Sequence, residues 1–128
     1  MSTARILVVD DNAVMLDAIS RMLRAKGYEV LSAGGPRQAL EIVRDSPSIH
    51  VVIADFLMPD MQGTQLVREV LRLSPQTAGV LMTGYVPGAL DVPDGVALLT
   101  KPFTSEKLFR TIQAALTQPD CRGEGGPS

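Results

Sequence analysis

Val51-Val52-Ile53-Ala54-Asp55-Phe56-Leu57-Met58-Pro59-Asp60-Met61-Gln62-Gly63 is the stretch that sets the architecture. Its first four residues are apolar, mostly β-branched and uninterrupted. A strand with one wet face would alternate apolar with polar; a strand covered on both faces of a parallel sheet does not. The run ends in an acid, so Asp55 stands where a buried strand reaches the surface. The next helix is expected to start near Gln62 or Gly63, too late for Asp55 to cap it. Asp55 is therefore a candidate site residue.

The same grammar recurs along the chain. Ile6-Leu7-Val8-Val9 is a second apolar run, and it ends in Asp10-Asp11-Asn12. Met15, Ala18, Ile19 and Met22 share one helical face, and Gly27 stops that helix. Glu29 to Ala33 reads as a strand, Gly34-Gly35 as a turn, and Pro36 as a first helical residue. Ala39, Leu40 and Val43 mark a second helix, which ends at Asp45-Ser46-Pro47. Leu66, Val67, Val70 and Leu71 mark a third, which stops at Ser74-Pro75. Gly79 to Thr83 and Val96 to Thr100 supply the fourth and fifth strands. Lys101-Pro102-Phe103 leads into a last helix with Thr104 as N-cap and Glu106 in its first turn. Leu108, Ile112, Ala115 and Leu116 form its buried face.

Strands alternating with helices predict a doubly wound parallel α/β sheet. One connection departs from the alternation. Between Thr83 and Val96 lie Gly84, Pro87, Gly88, Pro93 and Gly95, which leave space for one or two turns around Gly88–Asp91. The fourth helix is expected to be shortened or missing. From Gln118 the composition turns to Pro, Gly, Asp and Ser, so residues 1–117 are read as the domain and 118–128 as a disordered tail.

Bulk properties narrow the function classes. The chain has 128 residues, 45% of them apolar, with 12 basic against 14 acidic and a net charge of −2. That is one domain with one good core and no basic excess, which argues against nucleic acid and membrane surfaces as partners. No apolar run is long enough to span a bilayer or serve as a signal peptide, so a cytoplasmic location is expected. Cys121 is the only cysteine and His50 the only histidine. They leave no route to an internal disulfide or a zinc cluster. His50 reads as a surface residue at a strand entrance.

Ligands of doubly wound sheets bind at the carboxyl ends of the strands. Asp10 and Asp11 follow the first strand, Asp55 the third and Lys101 the fifth, while Thr83 ends the fourth. If the first and third strands are neighbours, three carboxylates converge against one lysine. Like charges so close need a cation, and a hard divalent ion such as Mg²⁺ is the natural partner of oxygen ligands. A hydroxyl and an ammonium beside it suit phosphoryl oxygens, so phosphoryl transfer with an aspartate nucleophile is the chemistry implied. Each piece also has a plain reading: Asp-Asp as a turn or cap, Thr83 as structure, Lys101 as a solvated charge. Their joint occurrence at the strand ends carries the weight.

Together Asp10-Asp11-Asn12, Asp55 through Gly63, Thr83-Gly84 and Lys101-Pro102-Phe103 resemble the receiver domain of two-component response regulators, over about Arg5 to Leu116. The resemblance implies a five-stranded sheet in the flavodoxin-like order 2-1-3-4-5. It implies that Asp55 takes a phosphoryl group from the phosphohistidine of a sensor histidine kinase or phosphotransfer protein. Mg²⁺ would be held directly by Asp11, Asp55 and the backbone carbonyl of Leu57, with Asp10 acting mainly through a bound water. Thr83 and Lys101 would bind the phosphoryl oxygens, and the Lys101-Pro102 peptide would be cis. Such a protein is a signalling phosphoacceptor that assists its own phosphorylation and slow self-dephosphorylation, not an enzyme.

Two departures from the receiver pattern stand out. Leu98 occupies the place of the usual aromatic three residues before the lysine, and Thr83 and Lys101 are only 18 residues apart. Tyr85, two past Thr83, is the expected substitute for the missing ring, so the switch is assigned to Thr83, Tyr85 and Leu98. The leading reading is a single-domain regulator. Alternatives are a receiver cut from a hybrid histidine kinase and, in another class, a small Mg-dependent aspartyl-phosphate phosphatase. The latter would want its nucleophile after the first strand and more chain for a substrate cap. A flavin module would want a Ser/Thr-rich phosphate loop where Asp10-Asp11 stand.

Overall fold

The structure, a computed structural model, describes residues 4–46, 48–58, 61–84 and 95–117. Its elements run β1 (Arg5–Val9), α1 (Ala13–Ala25), β2 (Glu29–Ala33), α2 (Pro36–Asp45), β3 (Val51–Asp55), α3 (Gly63–Leu73), β4 (Ala78–Thr83), β5 (Val96–Thr100) and α4 (Ser105–Thr117). The five strands form one parallel sheet in the order β2-β1-β3-β4-β5. This is the order implied by the sequence resemblance.

The unbroken apolar strands are explained by a core on each face. Leu7, Val9, Val52, Ala54 and Leu81 pack with Ala39 and Val43 of α2 and Leu66, Val67 and Val70 of α3. Their neighbours in sequence, Ile6, Val8, Val51, Ile53, Val80 and Met82, point the other way and pack with Ile19 and Leu23 of α1 and Leu108 and Ile112 of α4. Alternate residues of a strand face opposite sides, so two covered faces demand an apolar residue at every position. Each buried Val, Leu, Ile or Met side chain among them is worth about 1.5–3 kcal/mol against the exposed chain.

Helix ends follow local chemistry. Asn12 caps α1, its side-chain oxygen accepting the N–H groups of Val14 and Met15. Gly27 adopts φ 100° just past the end of α1, the left-handed turn that glycine takes without penalty. Pro36 opens α2, and Thr104 Oγ1 accepts the N–H of Lys107 at the start of α4. At the amino end of β4, Thr77 Oγ1 donates to the Ile49 carbonyl at 2.8 Å. Its one proton is thereby used, so the 2.7 Å contact between the two hydroxyls has Ser74 as donor.

Three boundaries differ from the sequence reading by one residue. β1 starts at Arg5, which pairs with Glu29. β4 starts at Ala78, because the Ala78 N–H bonds the His50 carbonyl. β3 continues through Asp55, which pairs with Met82. Among the described residues no helix lies between β4 and β5. The expected short helix at Gly88–Asp91, Tyr85 and the tail from Gln118 fall outside the described residues.

Candidate functional site

The last rungs of the sheet deliver the site residues. Beyond Val9, the Asp10 N–H still bonds the Ala33 carbonyl; beyond Asp55, the Phe56 N–H bonds that of Met82; beyond Thr100, the Lys101 N–H bonds that of Thr83. β1 and β3 are neighbours, with Val9 opposite Ala54, so Asp10 and Asp55 come side by side one step later. The condition on which the sequence reading depended is met. Helix α3 begins against the Asp55 backbone. Its Gly63 donates its N–H to the Phe56 carbonyl, and a Cβ at Gly63 would strike the Asp55 backbone, 2.9 Å from its carbonyl carbon.

Asp10, Asp11 and Asp55 can each present a carboxylate oxygen within 4.8 Å of the others. They differ sharply in burial. Asp10 is 1% exposed, the side chain of Asp55 13%, and Asp11 faces solvent. Lys101 Nζ donates to Asp55 Oδ1 at 2.7 Å and stands 3.9 Å from Asp10 Oδ2. Asp10 Oδ1 accepts the Asn12 N–H at 2.9 Å, whereas Oδ2 is buried without a hydrogen bond among the described residues. Burial pushes the Asp10 carboxyl above the ordinary aspartate range, and the Asp55 and Asp11 charges push the same way; the Asn12 N–H and Lys101 oppose them without prevailing.

A cleft of about 240 Å³ opens beside Asp55, lined by Phe56, Leu57, Thr83, Gly84 and Lys101. Thr83 is buried at its wall, and Leu57 at its rim is 51% exposed. The Lys101-Pro102 peptide is cis. Leu98 packs half-buried against the core on the α2/α3 side. Three acids against one lysine, with one buried carboxylate oxygen that makes no hydrogen bond among the described residues, fit a hard divalent cation. Asn12 is a residue whose part went unread: immediately before a helix it is an N-cap signal.

Fold and acid cluster together define a doubly wound α/β protein with a carboxylate cluster able to hold a cation at the strand ends. The chain belongs to the response regulator receiver domain family of two-component systems, whose family model matches residues 6–113. It is 31% identical to the sensor kinase CckA of Brucella abortus (strain 2308), over 93% of this chain and 13% of that protein. It is 28% identical to the response regulator receiver protein CpdR of the same organism, over 88% of this chain and 96% of that one. The chain spans only 13% to 49% of the length of CckA, GlrR, QseF and YrkP, four of the curated relatives it matches. Among solved structures, a CheY-like receiver domain protein from Methanospirillum hungatei JF-1 superposes with a TM-score of 0.82 at 29% identity, covering 98% of this chain and 100% of that one. Chemotaxis protein CheY4 of Vibrio cholerae superposes with a TM-score of 0.79 at 29% identity, covering 90% and 100%.

Proposed function

We propose that Asp55 is the phosphoacceptor of this receiver domain, and that it takes its phosphoryl group from a phosphohistidine on a sensor histidine kinase or phosphotransfer protein. The observation that carries the proposal is the 2.7 Å bond from Lys101 to Asp55 within three carboxylates whose oxygens lie within 4.8 Å of one another. Lys101 restrains the Asp55 carboxylate at the cleft. A carboxylate oxygen attacks phosphorus, the P–O bond forms as the P–N bond breaks, and the imidazole leaves with the bonding pair. Lys101 and Thr83, both lining the cleft, then hold phosphoryl oxygens. Asp10, Asp11, Asp55 and the Leu57 carbonyl would hold Mg²⁺, which neutralises charge on the incoming phosphoryl group.

The test is incubation with acetyl phosphate and Mg²⁺ followed by intact mass. One phosphoryl group should add to the wild type, none to Asp55→Asn, and none in EDTA. Mg²⁺-dependent labelling of the Asn variant would sink the assignment. The chemistry makes the protein a phosphoacceptor, not a turnover enzyme. No described helix is long and apolar enough to cross a membrane, and a cytoplasmic location remains part of the proposal.

The match over 96% of CpdR supports the single-domain regulator; a domain at 1–117 and a tail at 118–128 are part of the same proposal. The match to CckA supports the alternative, a receiver from a hybrid kinase. The phosphatase alternative fares worse, because the lysine-held aspartate ends β3 and not β1. For the switch, Thr83 moving toward a phosphorylated Asp55 should shift amide resonances between Gly84 and Gly95, with Tyr85 replacing the ring that Leu98 lacks. Beryllofluoride titration followed by nuclear magnetic resonance tests this; responses confined to α1 or α4 would refute it.

A further inference from the structure

Asp10 uses its two oxygens differently. Oδ1 accepts the backbone N–H of Asn12 at 2.9 Å. Oδ2 is buried, makes no hydrogen bond among the described residues, and lies 3.9 Å from Lys101 Nζ. Asn12 is itself pinned from the other side. Its Oδ1 accepts the N–H groups of Val14 at 3.0 Å and Met15 at 3.2 Å, and its carbonyl accepts that of Leu16 at 2.9 Å. With two amides on it, the Asn12 side-chain oxygen is committed to the helix and is no cation ligand. Its influence on the site runs through its own backbone, held at φ −87° and ψ 109° by the cap.

The restraint matters because Asp10 has a competing partner. An unanchored carboxylate there would rotate toward Lys101, close the 3.9 Å gap to a hydrogen-bonded pair, and withdraw from the cluster. Pinning Oδ1 limits that rotation and keeps the Asp10 carboxylate in the cluster with Asp11 and Asp55. We propose that Asn12 is a positioning residue for the cation site: by capping α1 it fixes the amide that orients Asp10, and so it sets the affinity for Mg²⁺. The inference rests on the cation reading of the proposed function.

Mg²⁺ titration of the full chain by calorimetry tests it. Asn12→Ala should weaken Mg²⁺ affinity about five- to tenfold, at or below the low end for losing an outer-shell partner, because the N–H stays and only its anchoring is lost. Asn12→Ser, an equally competent cap, should stay within about twofold of wild type. Asn12→Gln keeps the amide but places it one methylene too far out to cap, so it should weaken binding as Ala does, and it carries the comparison if the Ala variant does not fold. Thr77→Val, which loosens the opposite end of the sheet, should leave affinity unchanged. Wild-type affinity in both the Ala and Gln variants, a Ser variant as weak as Ala, or an equal loss in Thr77→Val each overturns the inference. A wild-type chain that binds no Mg²⁺ overturns the cation reading beneath it, and the two failures are thus distinguishable.

Discussion

Replacing Asp10 by asparagine should make the cation-free protein more stable, not less. The substitution is nearly isosteric and keeps an oxygen to accept the Asn12 N–H at 2.9 Å. What it removes is the charge on a side chain that is 1% exposed and whose Oδ2 has no hydrogen bond among the described residues. At an effective dielectric of about 20, the attraction to Lys101 across 3.9 Å is worth about 4 kcal/mol before solvent screening. Repulsion from two carboxylates within 4.8 Å is at least about 3.5 kcal/mol each on the same basis. Solvent at Asp11 screens most of its share, so the pair terms roughly cancel and burial decides the sign. An unsatisfied buried polar group costs about 1–3 kcal/mol. The variant should therefore gain about 1–2 kcal/mol, or about 4–8 °C in Tm for a domain of this size.

The assay is thermal unfolding in EDTA followed by circular dichroism, repeated across pH. Asp10 titrates above the ordinary aspartate value in the folded protein, so the native state binds its proton more readily than the unfolded chain. Its contribution is most favourable below about pH 3.9 and is lost as pH rises through the folded value. The advantage of Asp10→Asn should therefore grow over that window and level off above it. Saturating Mg²⁺ should reverse the order, because the wild type gains about 2.7 kcal/mol at a hundredfold excess over Kd. A variant equal to or less stable than wild type in EDTA at neutral pH would refute the assignment of Asp10 as an uncompensated buried charge.

Gly63→Ala would drive a methyl group into the Asp55 backbone, so it should destabilise the fold by about 1–3 kcal/mol or more, read as a lower urea midpoint. Thr77→Val strands the buried Ile49 carbonyl and the Ser74 hydroxyl; it should lose about 1–3 kcal/mol in the same assay while phosphorylation by acetyl phosphate proceeds normally. Leu57, exposed at the cleft rim, shields the phosphoryl group from water, so Leu57→Asn should shorten the lifetime of the phosphorylated form followed by mass; an unchanged or longer lifetime counts against that shielding.

How far the sequence reached can be followed through single residues. Val51 to Ala54 and Ile6 to Val9 declared two-sided burial, because an unbroken apolar run is a local pattern with one stable placement in a parallel sheet. The polar residues that close those runs declared the site for the same reason: a strand end is where backbone emerges, and a charge there is visible without knowing any neighbour. Gly27, Pro36 and Thr104 marked helix ends through chemistry confined to a few residues. Tertiary structure decided the rest, since it depends on contacts between residues far apart in the chain. That β1 lies beside β3, which turns separate acids into one cluster, is a property of crossover topology and not of either strand. That Asp10 goes under while adjacent Asp11 stays in water follows from the last rung to Ala33 and the cap at Asn12, which turn one carboxylate inward. That Gly63 must be glycine follows from a helix seated on the Asp55 backbone eight residues earlier, a steric fact that exists only once the chain has folded.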